Sequence, residues 1–237
     1  MEFKFDSSEE YQLAAIEAAT GLFEGQSFIR SQLLIPRGAA FQVIGNRLDL
    51  TEEMILANLT KVQGDQALLV DRGLQAITAE IDARTGKGEV RFPNFSIEME
   101  TGTGKTYVYL RTAHRLFQRY GLRKFIVVVP SVAVREGVKK TLDVTKKHLD
   151  DLYGKPPYRY SVYDSTNLSQ VRTFALSDGL EIMVMTIDAF KRGETVIRQS
   201  REGQDPPIHW LQAVRPVLIW TSRRTWRATP ARWPSRP

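Results

Sequence analysis

The sequence predicts an α/β protein: a lobe with a mainly parallel sheet, preceded by a mixed α+β N-terminal segment. Three observations support this prediction. From residue 95 onward, apolar runs alternate with amphipathic helical patterns. The runs at 125–129 and 180–186 are almost wholly apolar, which is typical of strands covered on both faces. Glycine-bearing loops separate several of these elements, as expected where strands lead into helices.

The first 94 residues predict two helices and several short strands. Ser8 can cap a helix over 8–23, whose apolar residues recur at helical spacing. Asp49 or Thr51 can cap a second helix, which extends to Gln63. Strands are predicted at 28–29, 41–44, 76–82 and 89–92. The last two flank a turn that contains Gly86-Lys87-Gly88 and form a hairpin.

The remaining elements follow the alternating pattern. A strand at 95–98 precedes a glycine-bearing loop and a helix over 105–120. The other predicted helices are 131–148 and 167–176, and the other predicted strands are 125–129, 158–162, 180–186 and 214–219. This gives three regions: an N-terminal segment 1–94 that packs on the lobe, the lobe 95–219, and a tail 220–237.

Charge and composition exclude some classes of protein. The net charge of +6 comes mostly from the tail: without its five arginines, 28 basic residues of the 33 remain against 27 acidic ones. The body is therefore nearly neutral, and its charge does not indicate nucleic-acid binding. The chain has no cysteine and no apolar run of about 18 residues, so we expect no disulfide and no membrane span. A cytoplasmic protein is expected.

The loop after strand 95–98 has the sequence pattern of a phosphate-binding loop. It reads Met99-Glu100-Thr101-Gly102-Thr103-Gly104-Lys105-Thr106, with Met99 where the pattern usually has its first glycine. Successive backbone N–H groups of residues 101–104 and the following helix N-terminus can hold phosphate oxygens. Lys105 would reach the β- and γ-phosphates, and Thr106 would bind Mg²⁺. The predicted cofactors are ATP and Mg²⁺, and the predicted catalytic residues are Lys105 and Thr106.

The loop and a second motif together resemble one protein family. Residues 99–109 and Val128-Val129-Pro130-Ser131-Val132-Ala133-Val134-Arg135 are similar to the first RecA-like lobe of superfamily 2 helicases, and more narrowly to the Res subunit of type III restriction enzymes. Tyr11-Gln12-Leu13 resembles the family's glutamine motif. The resemblance implies that Gln12 reads adenine, for which a side-chain amide has both donors and acceptors.

Four residues are candidates for contact with nucleic acid. Pro130 and Ser131 follow a strand and begin a helix, whose N-terminus can face a phosphate, and Arg135 can add a charged contact. A plain capped helix with an exposed arginine explains this pattern equally well. The segment 184–190 resembles a family motif that touches the nucleic-acid backbone, which adds Thr186.

An ATPase of this type also needs a carboxylate at the end of a neighbouring strand. Asp188 is one candidate, but the position after Ile219 is the better one, and Trp220-Thr221-Ser222-Arg223 follows there.

The tail holds three of the four tryptophans, and we expect it to be disordered. We hypothesise a reading-frame change near residue 219. In the shifted frame, the last base of the Trp220 codon and the first two bases of the Thr221 codon encode aspartate. At later positions of that frame the genetic code permits acidic residues but does not require them. A basic-aromatic extension that binds DNA is the alternative.

The resemblance implies an ATP-driven motor that acts on double-stranded DNA with a modification methyltransferase subunit, and that cuts with a separate nuclease domain. We expect this chain to be the N-terminal lobe of such a protein, with weak or no ATP turnover alone. Two alternatives remain open at this point: a fragment of another superfamily 2 DNA or RNA helicase, and a nucleotide-binding module without motor activity.

Overall fold

The computed structural model describes residues 5–30, 33–34, 42–80, 89–191, 197 and 206–221. The helices are α1 (Glu10–Gly21), α2 (Glu52–Asp65), α3 (Lys105–Tyr120), α4 (Val132–Tyr153), α5 (Ser169–Leu176), α6 (Asp188–Lys191) and α7 (Pro207–Ala213). The strands are β1 (Leu33–Leu34), β2 (Val43–Ile44), β3 (Ala76–Glu80), β4 (Glu89–Pro93), β5 (Lys124–Val129), β6 (Tyr158–Val162), β7 (Leu180–Thr186) and β8 (Val217–Trp220).

Four strands form the central sheet in the order β6-β7-β5-β8, and every pairing in it is parallel. The prediction of an α/β lobe with a parallel sheet is therefore confirmed. β1 with β2 and β3 with β4 form two separate antiparallel pairs, the second of which is the predicted hairpin. The Gly86-Lys87 turn of that hairpin lies outside the described residues.

Both faces of the sheet are covered, which explains the apolar runs. Phe125, Val127 and Val129 of β5 pack on one face among residues of α3 and α4. Ile126 and Val128 point to the opposite face, among residues of α5 and α7. Because neighbouring side chains of a strand alternate between faces, a strand buried on both sides must be apolar at successive positions.

The segment before residue 95 contacts this lobe at several places. Ala15 and Ile16 of α1 pack on Val108 of α3. Asn46 is buried, and its side-chain Oδ1 accepts hydrogen bonds from the backbone N–H groups of Arg123 and Lys124, at 2.8 and 3.0 Å. The amide of Asn46 thereby fixes the start of β5.

Several local predictions were wrong. Residues 95–98 form no strand, and the side chain of Ile97 is 48% exposed. A strand requires a hydrogen-bonded neighbour, and no described strand pairs with this segment. Residues 28–29 form no strand either; the N–H of Ile29 donates to the carbonyl of Tyr120 instead.

Two helix starts also differ from the sequence prediction. Ser8 does not cap α1: its hydroxyl and N–H bond to Asp6, and Glu9 precedes the helix. α7 was not predicted from the sequence, and its first residue is Pro207. The predicted caps Thr51 and Ser131 are confirmed, since each accepts a hydrogen bond from the N–H three residues later. Among the helices of the described ranges, none is long and apolar enough to cross a membrane.

Candidate functional site

The loop before α3 adopts a backbone that requires glycine at two positions. Gly102 and Gly104 have φ values of +88° and +83°, in the left-handed region. Gly104 also directly precedes α3, and a Cβ there would lie 2.8 Å from Nε2 of Gln12. A side chain at position 104 would therefore meet backbone strain and would displace the Gln12 amide.

Lys105 is the first residue of α3, and its side chain folds back over the loop. Its Nζ donates hydrogen bonds to the carbonyls of Met99 and Glu100, at 2.6 and 2.5 Å. The hydroxyl of Thr103 donates to the same Glu100 carbonyl at 2.7 Å. The loop thus places an exposed ammonium group and the N-terminus of a 16-residue helix side by side.

Gln12 lies against this loop although 91 residues separate it from Thr103. Its Nε2 donates to the carbonyl of Thr103 at 3.1 Å and to the hydroxyl of Tyr11 at 3.3 Å. Its Oε1 is buried and has no hydrogen-bond partner among the described residues. The structure therefore brings together Gln12 and the predicted loop residues, and leaves one buried acceptor unsatisfied.

The four candidate nucleic-acid residues lie at the carboxyl edge of the sheet. Val129 of β5 and Thr186 of β7 are register partners at neighbouring strand ends, and Pro130 directly follows β5. Ser131 caps α4 and is exposed. Arg135, one turn further, and Thr186 line the same groove of about 950 Å³. Pro130 and Ser131 share this edge of the sheet but do not line the groove.

The groove also contains residues that the sequence did not single out. Ser161 and Gln170 line it, and Oγ of Ser161 and Oε1 of Gln170 are buried without a hydrogen-bond partner among the described residues. Its charges are mixed. The guanidinium of Arg135 lies 2.9 Å from the carboxylate of Glu136, and Asp164 and Asp188 are also present. Hydrogen bonds from the N–H and hydroxyl of Thr166 lower the pKa of Asp164.

The comparisons with known proteins identify the family. The sequence profile described as "Type III restriction enzyme, res subunit" matches residues 37–208, which is most of the chain. The chain belongs to this family. Among its relatives, the StyLTI Res subunit of Salmonella typhimurium is 48% identical over 147 residues, which cover 53% of this chain and 15% of that protein.

Two further Res subunits are more distant. The EcoPI Res subunit of Escherichia phage P1 is 28% identical over 167 residues, covering 70% of this chain and 16% of that protein. The EcoP15I Res subunit of Escherichia coli is 26% identical over 252 residues, covering 94% of this chain and 24% of that protein. The chain thus spans less than a quarter of the length of these relatives. The Res family domain is RecA-like, so the predicted fold class is confirmed in full.

The residues of this Res-family chain fit a polyphosphate better than they fit a metal ion. The glycine loop, the ammonium of Lys105 and the helix N-terminus all favour an anion. Thr106 supplies one hydroxyl, whereas Mg²⁺ in proteins usually has one or two carboxylate ligands beside phosphate oxygens. No group of three or more His, Cys, Asp or Glu that could hold a metal occurs in the described part of the chain.

The position at which the sequence lacks the expected carboxylate is visible at the end of β8. Trp220 pairs in register with Val128, and the N–H of Thr221 donates to the Val128 carbonyl at 3.2 Å. Trp220 and Thr221, the last described residues here, provide no carboxylate. Asp188, the other candidate, begins α6 and lies in the groove with Arg135; the phosphate loop does not line that groove.

Proposed function

We propose that this chain is the ATP-binding N-terminal helicase lobe of a type III restriction Res subunit. The observation that carries the proposal is the glycine loop, with Gln12 bonded to Thr103 and the Lys105 ammonium held above the loop. Lys105 and Thr106 are the proposed catalytic residues, and Thr106 is the proposed Mg²⁺ ligand. Residues 101–104 contribute backbone N–H groups to the phosphates.

The hydrogen bonds that the Lys105 ammonium makes in this structure support the proposal of phosphate binding. Two neutral carbonyls accept from its Nζ, and an incoming phosphate offers charged oxygens instead. The present bonds already have a charged donor, but phosphate oxygens add a charge–charge attraction that neutral carbonyls lack, so the exchange favours the ligand. The partial positive charge at the start of α3 acts in the same direction.

Gln12 supports a preference for adenine. Its Oε1 is a buried acceptor without a partner among the described residues, and such a group costs about 1–3 kcal/mol. The exocyclic amino group of adenine is a donor that satisfies it, whereas guanine presents a carbonyl oxygen at the equivalent position. The unsatisfied oxygen therefore favours ATP over GTP.

The proposed partner at the carboxyl edge of the sheet is double-stranded DNA. The proposed contacts with the phosphate backbone are Pro130 and Ser131, which directly precede α4, together with Arg135 and Thr186. The relatives are named as subunits of restriction-modification enzymes, so we propose that the full-length protein acts with a modification methyltransferase subunit and cleaves DNA. Because no carboxylate follows β8 in the described residues, we expect this chain alone to hydrolyse ATP weakly or not at all.

Calorimetric titration of the 237-residue chain with Mg-ATP tests the proposal. The wild-type chain is expected to bind ATP, and Lys105→Ala is expected to bind at least about tenfold more weakly, since it removes a charge-assisted contact. Lys87→Ala is the matched control, because it removes a lysine from another Gly-Lys pair of the sequence. Equal affinities of the wild type and Lys105→Ala would contradict the proposed site.

A further inference from the structure

We propose that Met99 is a positioning residue that fastens the phosphate loop to α1. This inference rests on the proposed nucleotide site and adds a residue that positions its loop. The Met99 side chain is half-buried and packs on the cluster formed by Ala15, Ile16 and Val108. The pattern of phosphate loops usually has glycine at this position. In this chain, the side chain that replaces the glycine is an apolar anchor.

The anchor matters because residues 95–98, between β4 and the loop, lie in no strand. Residues 94–100 have no regular secondary structure, and Ser96, Ile97 and Glu98 are exposed. No described strand pairs with this segment. Met99 is therefore the place where the loop entrance is fixed, through its side chain and through its carbonyl, which accepts from Lys105 at 2.6 Å.

α1 provides a rigid support for this contact. The carboxylate of Glu17 pairs with Arg115 of α3, and with Arg119 at 3.3 Å. Gln12, also on α1, holds the other end of the loop through Thr103. The loop is thus held at both ends: Met99 packs on the cluster of α1 and α3 residues at the entrance, and Gln12 of α1 bonds to Thr103 beside α3.

A substitution that restores the common sequence pattern of the loop is therefore expected to weaken nucleotide binding. Replacement of Met99 by glycine restores the common pattern of the loop, yet it removes the entrance anchor. The freed loop must then be ordered when the nucleotide binds, and this ordering lowers affinity. We expect Met99→Gly to weaken Mg-ATP binding about fivefold to twentyfold, and Met99→Leu, which keeps an apolar side chain of similar volume, to remain within about twofold of the wild type.

The test is a Mg-ATP titration of these two variants together with Val138→Ala. Val138 is buried on α4 in the main core, in a different cluster from that of Met99, and its truncation controls for a general loss of stability. Urea unfolding measures that loss for each variant. The inference is supported if Met99→Gly binds Mg-ATP more weakly than the wild type, while Met99→Leu and Val138→Ala bind it about as tightly as the wild type. Binding by Met99→Gly as tight as that of the wild type overturns it.

A second measurement distinguishes failure of this inference from failure of the proposed nucleotide site. If the wild-type chain does not bind ATP, the proposed function fails. Amide hydrogen exchange of residues 99–104 then decides the inference alone: faster exchange in Met99→Gly than in Met99→Leu supports it, and equal exchange overturns it. If Met99→Gly does not fold, Met99→Ala replaces it in both measurements, with the same expected direction.

Discussion

The side-chain amide of Gln12 donates a 3.1 Å hydrogen bond to the backbone carbonyl of Thr103. This bond joins the first helix of the chain to the loop that precedes α3. Beside it, Gly104 leaves the space in which the Gln12 amide lies, since a Cβ there would come within 2.8 Å of Nε2. One residue therefore contacts the loop and also presents an unsatisfied oxygen near it.

Gln12→Leu is expected to weaken Mg-ATP binding about threefold to tenfold and to reduce the preference for ATP over GTP. Leucine has a similar shape, but it loses the bond to Thr103 and the acceptor for the adenine amino group; a hydrogen bond contributes about 0.5–1.5 kcal/mol. Competition titrations with ATP and GTP measure both effects. Gln66→Leu is the matched control, because Gln66 also donates to a backbone carbonyl, that of Ala14 in α1. An unchanged ATP/GTP ratio would exclude Gln12 as the adenine-reading residue.

Arg135→Ala is expected to weaken binding to duplex DNA about threefold to tenfold for any sequence. The guanidinium is a proposed phosphate contact, so its loss should also reduce the slope of affinity against salt concentration by about one. Fluorescence anisotropy at several salt concentrations measures both quantities. Lys147→Ala removes the same charge from an exposed site further along α4 and should have little effect. Equal losses in both variants would show that only net charge matters.

Thr221→Asp is expected to make ATP binding depend on Mg²⁺. The wild-type chain has only the Thr106 hydroxyl as a proposed ligand, so chelation of Mg²⁺ should change its ATP affinity less than about threefold. A carboxylate at the end of β8 should increase this difference to at least about fivefold. ATP titrations with Mg²⁺ and with a chelator provide the comparison. Thr221→Asn serves as the uncharged control. If Thr221→Asp responds to Mg²⁺ no more than Thr221→Asn does, the end of β8 is not the missing ligand position.

His114 is expected to make the protein less stable in mild acid. It is fully buried between Tyr153 and Tyr158, and burial lowers its pKa from 6.5 to about 4. Below pH 6.5 the unfolded chain binds a proton that the folded chain does not, so stability is lost as the pH falls towards 4. Over this range the loss is about 3 kcal/mol. Urea unfolding between pH 7 and 4 measures it.

His114→Phe keeps an aromatic ring at this position and removes the titration. The free energy of unfolding of this variant should fall less than that of the wild type across the same pH range. The difference between the two chains isolates His114 from the carboxylates, which titrate in both. Parallel curves for the wild type and His114→Phe would contradict the assignment.

The sequence predicted the elements whose signal is local. β5 and β7 were recognisable because strands buried on both faces are apolar at successive positions. α3 and its loop were recognisable because glycines, a lysine and a helical pattern follow one another. Thr51 and Ser131 were predicted as caps because their hydroxyls act within three residues.

The predictions that failed depend on partners distant in the chain. The apolar residues of 95–98 indicated a strand, but a strand also needs a neighbour, which a local pattern does not provide. α7 was not predicted, although its first residue is Pro207 and proline is well suited to the first position of a helix. No local sequence pattern predicts the packing of Met99 beside Ala15 and Ile16 of α1 or the bond of Asn46 to β5, because each joins residues about 80 positions apart.

Hydrogen–deuterium exchange with and without Mg-ATP tests the central claim, nucleotide binding at the loop before α3, most directly. The account predicts slower exchange of the backbone amides of residues 101–106 when ATP is added, and no such change in Lys105→Ala. The hairpin strands β3 and β4 should exchange equally in both conditions and provide an internal reference. Unchanged exchange at 101–106 in the wild-type chain at saturating ATP would contradict the account.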